Sequence, residues 1–107
     1  MIENSKAVDC LEEILAVKGL DAILIGPYDL SASMGLTAQF EDPTFVIAME
    51  QILTLCQHKK IPCGLHVVTP KVDVLKQRIT NGYRFIAYSI DTVFLSTSSL
   101  APKISNL

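Results

Sequence analysis

Apolar residues along this chain alternate between two periods. Over Val8, Leu11, Ile14 and Leu15 they return every three or four positions, the spacing of one buried helix face. Ser5 is placed to cap that helix and Lys18-Gly19 to end it. Ala22 to Ile25 is a continuous apolar run of strand length, the pattern of a strand covered on both faces. Gly26 to Gln39 reads as a loop with one helical turn. Val46, Met49, Ile52, Leu53 and Cys56 predict a further helix, with Asp42 as cap, Pro43 at the first helical position and His58-Lys59-Lys60 at the negative end of its dipole. Pro62 to Val68 reads as a second strand. Thr69-Pro70 repeats the cap-and-proline pattern before a helix carrying Val72, Val74, Leu75 and Ile79, which stops at Asn81-Gly82. Tyr83 to Ser89 reads as a third strand, and Asp91 can cap a last helix from Thr92 toward Leu100, interrupted by Pro102.

Strands separated by helices of this length run parallel, joined by right-handed crossovers, so the fold class is α/β. Three or four such strands make only part of a closed sheet. A (β/α)8 barrel takes about 200 to 250 residues. A chain of 107 residues is then expected to supply about half of one, leaving two strand edges that need cover.

Composition narrows the function classes. Half of the residues are hydrophobic, enough for one small core, and the formal charge of −2 includes no basic stripe for nucleic acid and no acidic tail. Three cysteines, Cys10, Cys56 and Cys63, are odd in number and lack C-x-x-C spacing. Neither a disulfide framework nor a zinc site is indicated, and a reducing compartment fits. No apolar run approaches the roughly 18 to 20 residues of a membrane span, and the start lacks a basic then apolar leader. A cytoplasmic protein without a membrane or nucleic-acid partner is the expectation.

In parallel α/β sheets, functional groups gather at the carboxyl ends of strands. Four residues there bear chemistry: Glu3, Asp29, His66 and Asp91. Glu3 follows Met1-Ile2, which can be the stub of a strand, or it is an exposed terminal residue favouring the next helix. Asp29 either caps a turn from Leu30 to Met34 or works as a ligand. Together the two carboxylates make a site for a hard cation, with water and substrate oxygens completing the sphere. His66 lines that site or is a satisfied histidine between strand and helix, and Asp91 is most simply a cap. Ser31 and Ser33 are expected to bond locally in the turn, and the cysteines to be core thiols.

The blocks MIENSKAVDCLEEILAVKGLDAILIGPYDLSASMG, EDPTFVIAMEQI, IPCGLHVV and GYRFIAYSIDTVFL together resemble the HpcH/HpaI aldolase family, with GPYDLSASMG the most specific. The resemblance implies the C-terminal half of a (β/α)8 barrel, residues 1–107 forming that partial domain. It also implies a metal-dependent aldolase, an aldehyde-lyase that cleaves 2-keto-3-deoxy or 4-hydroxy-2-oxo acids to pyruvate and an aldehyde through a metal-stabilised pyruvate enolate. Glu3 and Asp29 then hold the divalent metal, Mg2+ or Mn2+ with Co2+ an option. The backbone N–H groups of Tyr28 and Asp29 hold the substrate carboxylate, and His66 lines the site. Full-length members of this kind commonly form homo-oligomers. Many members carry Gln two residues before the metal-binding Glu, where this chain has Met1. The family's proton-transferring His and substrate-binding Arg come from the other half of the barrel, and His66 and Arg84 cannot inherit those roles. Two readings follow: part of an aldolase that works only with its missing half, or a noncatalytic remnant or α/β assembly module.

Overall fold

Three of the apolar runs become the three parallel strands of one sheet, side by side in chain order. The computed structural model describes residues 1–104. Its elements are α1 (Ser5–Asp9), α2 (Leu11–Leu15), β1 (Ile23–Ile25), α3 (Pro27–Ser33), α4 (Pro43–Lys59), β2 (Cys63–Val67), α5 (Val72–Asn81), β3 (Phe85–Tyr88) and α6 (Asp91–Ser98). Ile2 adds the stub of a fourth strand. Its N–H donates to the Leu24 carbonyl at 2.7 Å, and its carbonyl accepts from the Gly26 N–H at 3.0 Å, forming a parallel bridge to Ile25.

Register sorts side chains into rows across the sheet. Ile2 pairs with Ile25, Ile25 with Leu65, and Leu65 with Ile86. The first three of these are buried and belong to the core, with Leu11, Leu15, Leu30, Phe45 and Ile52 from the helices. A step of one residue reverses the face, so Glu3, Gly26, His66 and Ala87 form the next row on the opposite side. The row before it on that same side is Leu24, Gly64 and Phe85. A Cβ on Gly64 would collide with the Phe85 ring, so the missing side chain is what lets that ring lie across β2. Phe85 nevertheless remains 41% exposed. Among the described residues, none forms on this face the second layer that parallel strands normally have.

Several helix ends follow the sequence pattern. Asp42 caps α4, its Oδ1 accepting from the Thr44 N–H at 2.8 Å with Pro43 in first place, and α5 stops at Gly82. Others differ. The first helix is capped by Asn4, whose side chain accepts from the Lys6 N–H at 2.9 Å; Ser5 is already helical. It also breaks at Cys10, so α1 and α2 are two short helices and the second ends at Leu15 rather than at Lys18. The stretch after β1 holds α3, seven residues long, where one turn was expected. Thr69-Pro70 does not open α5: its cap position is Lys71, which makes no side-chain cap bond. Asp91 is the first residue of α6 rather than its cap, which is Ile90, and its Oδ1 accepts from the adjacent Thr92 N–H. All three strands are shorter than their apolar runs, and α6 ends at Ser98. No helix among the described residues is long and apolar enough to cross a membrane.

Cys56 and Cys63 are buried free thiols, whereas Cys10 is half-buried, with its Sγ donating to the Lys6 carbonyl. The Cys56 side chain and burial push the Cys63 thiol up, which keeps it protonated. Tyr83 is buried beside them, and desolvation pushes its phenol up to about 12 from an unfolded value near 10. The folded state therefore holds this proton more tightly than the unfolded state. Stability is unaffected below about pH 10 and declines between about pH 10 and 12, by about 2 to 3 kcal/mol in total. Urea melts across pH 9 to 12 should show a slope that Tyr83→Phe reduces; an identical slope in the variant would place the loss on other groups.

Candidate active site

The carboxyl ends of the stub strand, β1 and β2 meet around a cavity of about 330 Å³. Glu3, Gly26, Pro27, Tyr28, Asp29, His66 and Val68 line it with Met1. Sequence-predicted residues Glu3, Tyr28, Asp29 and His66 thus come together, whereas Asp91 does not line this cavity.

Glu3 is placed by the stub's hydrogen bonds to β1 and by the helix that follows it. The Ser33 Oγ accepts from the Ser5 N–H at 2.9 Å while donating to the Leu30 carbonyl at 2.7 Å. This hydroxyl ties the start of α1 to the end of α3, and so ties the Glu3 segment to the helix that carries Asp29. The bond to Leu30 is the local one expected of Ser33; the long-range bond to Ser5 comes in addition. Ser31 does act locally, donating to the Tyr28 carbonyl at 2.9 Å and accepting from the Ala38 N–H at 3.1 Å.

Gly26 is the second feature that residue types alone did not reveal. A Cβ there would stand 3.0 Å from both Cγ and Oε1 of Glu3, closer than side chains ordinarily pack. Glycine leaves room for the Glu3 carboxylate to lie over the end of β1. Gly26→Ala should displace this carboxylate and weaken divalent-cation binding about tenfold or more, with the circular dichroism spectrum unchanged. Equal Mn2+ affinity in the variant and the parent would show that the close approach has no bearing on binding.

Gly26 is also the cap position of α3, with Pro27 first, Tyr28 second and Asp29 third. Asp29 is therefore not the cap of a later turn. It is exposed in the first helical turn, where a carboxylate is favoured by the positive end of the helix dipole. The N–H groups of Tyr28 and Asp29 lie in that turn too, and helix geometry offers them no acceptor within α3. Pro27 has no N–H, so the donors open to an anion begin at Tyr28. The Tyr28 ring meets Phe40 edge-on, centroids 4.9 Å apart, and Phe40 packs on Phe45 at 5.5 Å.

His66 is half-buried, and its Nε2 lies 3.2 Å from the Ser89 carbonyl. The residue also lines the cavity. A larger space of about 720 Å³ adjoins, sharing Pro27, Tyr28, His66 and Val68 and running between α4 and α5 past Met49, Val74 and Tyr83.

Among the described residues, no group of three or more His, Cys, Asp or Glu side chains is arranged to hold a metal ion. The pair of carboxylates on one cavity still suits a hard cation. Both donors are oxygen, and Mg2+ is commonly held by one or two carboxylates with water and substrate in the other positions.

The sequence profile of HpcH/HpaI aldolase/citrate lyase matches residues 1–97. A 2-keto-3-deoxy-L-rhamnonate aldolase of Escherichia coli is 34% identical over 95 residues, covering 89% of this chain and 35% of that protein. A 4-hydroxy-4-methyl-2-oxoglutarate aldolase of Chaetomium globosum is 38% identical over 65 residues, covering 61% of this chain and 24% of that protein. The chain thus spans about a third or less of the length of the curated relatives it matches. The crystal structure of an HpcH/HpaI aldolase from Desulfitobacterium hafniense superposes with a TM-score of 0.82 at 28% identity, over 92% of this chain and 38% of that one. The citrate synthase SbnG superposes with a TM-score of 0.79 at 21% identity, covering 92% of this chain and 39% of that one, a likeness of fold alone. The architecture is accordingly part of a (β/α)8 barrel.

Proposed function

This chain belongs to the HpcH/HpaI aldolase/citrate lyase family, and from that premise we propose that it is the C-terminal part of a divalent-metal-dependent aldolase. The proposed reaction cleaves a 2-keto-3-deoxy or 4-hydroxy-2-oxo acid to pyruvate and an aldehyde, an aldehyde-lyase activity. The observation that carries it is the convergence of Glu3, Asp29 and the first-turn N–H groups of α3 on one cavity at the carboxyl ends of the strands, where barrel enzymes do their chemistry.

Glu3 and Asp29 would hold the cation, Mg2+ or Mn2+ with Co2+ as an option. When bound, such a cation supplies Lewis-acid stabilisation of the negative charge that develops as the C3–C4 bond breaks. The chain's own groups do the positioning. The N–H groups of Tyr28 and Asp29 hold the substrate carboxylate with directed donors. Gly26 gives the Glu3 carboxylate its place, and the Ser33 hydroxyl keeps the two carboxylate-bearing segments in one arrangement. Full activity requires the remaining strands, because the exposed face around Phe85 and the unpaired edge of β3 belong inside a closed barrel. The full-length protein is proposed to be a cytoplasmic homo-oligomer. Support for the assembly comes from α6, which buries no residue and exposes Phe94 and Leu95, an apolar face that suits a contact between copies.

The test is exchange at pyruvate C3. Co-expressed with the N-terminal strands of its Escherichia coli relative, the chain should catalyse deuterium uptake from D2O into the pyruvate methyl group only when Mg2+ or Mn2+ is added. A complex that assembles stably and shows no metal-dependent uptake would overturn the proposal in favour of a noncatalytic module.

A further inference from the structure

The larger space, between α4 and α5, lies on the helix side of the sheet. Its floor is β2 at Leu65 and Val67, and β2 already has β1 on one edge and β3 on the other, so further strands would not change that floor. Helix α5 carries Val72, Val74, Leu75 and Ile79 but buries none of its residues. It stands off the sheet and leaves about 720 Å³. Small-molecule sites commonly enclose about 300 to 1,000 Å³.

One end of this space holds two donors without acceptors. Tyr83 is 6% exposed and packs into the core, yet its hydroxyl makes no hydrogen bond to the described residues. The one fully enclosed side-chain oxygen or nitrogen lacking a partner is that of Ser89, so the Tyr83 oxygen is open to the cavity its residue lines. Arg78 is half-buried on the same wall. Among the described residues the one ion pair is Lys59 with Glu12, which leaves the Arg78 guanidinium unpaired. Nor is it required as a helix cap, because the Arg78 carbonyl accepts from the Tyr83 N–H at 3.3 Å and the Ile79 carbonyl from the Gly82 N–H at 3.0 Å. Burial pushes the Tyr83 phenol up and the guanidinium opposes this, with no carboxylate among the groups that act on it. Glu41 and Glu50 also line the cavity, as does Lys71, but all three are exposed, where solvent and salt screen their charge. Between the two donors and the solvent stand Met49, Leu53 and Val74, each only partly buried. The complement of this arrangement is a negative group with acceptor oxygens on an apolar body.

We propose that the space between α4 and α5 binds a small amphipathic monocarboxylate, its carboxylate between the Arg78 guanidinium and the Tyr83 hydroxyl and its apolar body along Met49, Leu53 and Val74. Arg78 and Tyr83 do not line the cavity of Glu3 and Asp29, so this site is independent of the aldolase reading.

The test uses the chain itself, with 13C-methyl-labelled methionine and octanoate as the probe. Octanoate should shift the Met49 methyl resonance saturably and show nuclear Overhauser contacts to it, leaving Met34, outside the cavity, unchanged. Octanol, without the charge, should bind about tenfold or more weakly than octanoate, and succinate, without the apolar body, should not move Met49. Arg78→Gln should weaken octanoate about tenfold or more and leave octanol unchanged. Tyr83→Phe, which keeps the ring in the core, should weaken octanoate several-fold. Absence of a saturable shift at Met49, or equal losses of octanoate and octanol in Arg78→Gln, would overturn the assignment. Shifts confined to the amides of Glu3, Tyr28 and Asp29 would do so as well, by placing the carboxylate at the strand ends. A Met49 shift that grows with protein concentration and excludes octanoate would show the space filled by a second copy instead, against the proposal.

Discussion

Asp29→Ala is expected to weaken Mn2+ binding by more than about 100-fold while leaving the fold in place. The magnitude follows from the donor set. Replacing groups that merely support a ligand costs about 10- to 100-fold in metal affinity, and among the described residues Asp29 is one of two carboxylates on the cavity. The fold should tolerate the change because Asp29 is exposed, and its structural contribution is the favourable placing of a charge in the first turn of α3. That effect is about 0.3 to 1 kcal/mol, small beside the 5 to 15 kcal/mol typical of domains. Electron paramagnetic resonance of free Mn2+ gives the affinity, and far-ultraviolet circular dichroism reports the fold. An unchanged affinity in a folded variant would return Asp29 to a purely local role in α3.

One position further on, Leu30→Ala should have the opposite profile, a large loss of stability. Leu30 is fully buried, at 0% exposure, in the cluster that includes Ile25, Phe45 and Ile52. Truncating such a leucine removes its transfer energy and leaves a cavity, at a cost of about 2 to 5 kcal/mol. For a domain of this size that lowers Tm by roughly 10 °C or more. Because α3 is seven residues long, too short to persist by itself, its docking through Leu30 is what holds Asp29 and the Tyr28 N–H at the cavity. The loss should therefore extend to cation binding well below the variant's Tm. A loss below about 1 kcal/mol, or binding equal to the parent, would mean that α3 is held by other contacts.

These neighbouring residues show how unevenly the fold could be read from residue order. Asp42-Pro43 and Gly82 mark helix boundaries through local chemistry, a carboxylate that caps and a glycine that tolerates a left-handed turn, so both were legible. The apolar runs also located all three strands. The helix α3 was not legible, because Gly26, Ser31, Ser33 and Gly35 resemble turn residues until Leu30 is seen to be buried and the serine hydroxyls to bond backbone groups. Thr69-Pro70 misled for the reverse reason: a local signal of helix start was present, yet the Lys71 N–H bonds to the Thr69 carbonyl and α5 begins after that turn.

The candidate site divides along the same line. Period, caps and the GPYDLSASMG block were enough to settle an α/β fold of parallel strands and to single out Glu3, Asp29 and His66, because strand ends and residue types are properties of order alone. Their convergence on one cavity was decided by register. Pairing Ile2 with Ile25 and Leu65 with Ile86 turns the following residues to the other face of the sheet, and a slip of one position would have buried Glu3 and His66 under the helices. The close approach of Glu3 to Gly26, the reach of Ser33 to the Ser5 N–H and the turning of the Ser89 carbonyl toward His66 join groups more than twenty residues apart. Such contacts leave no local periodicity, so only the folded chain displays them.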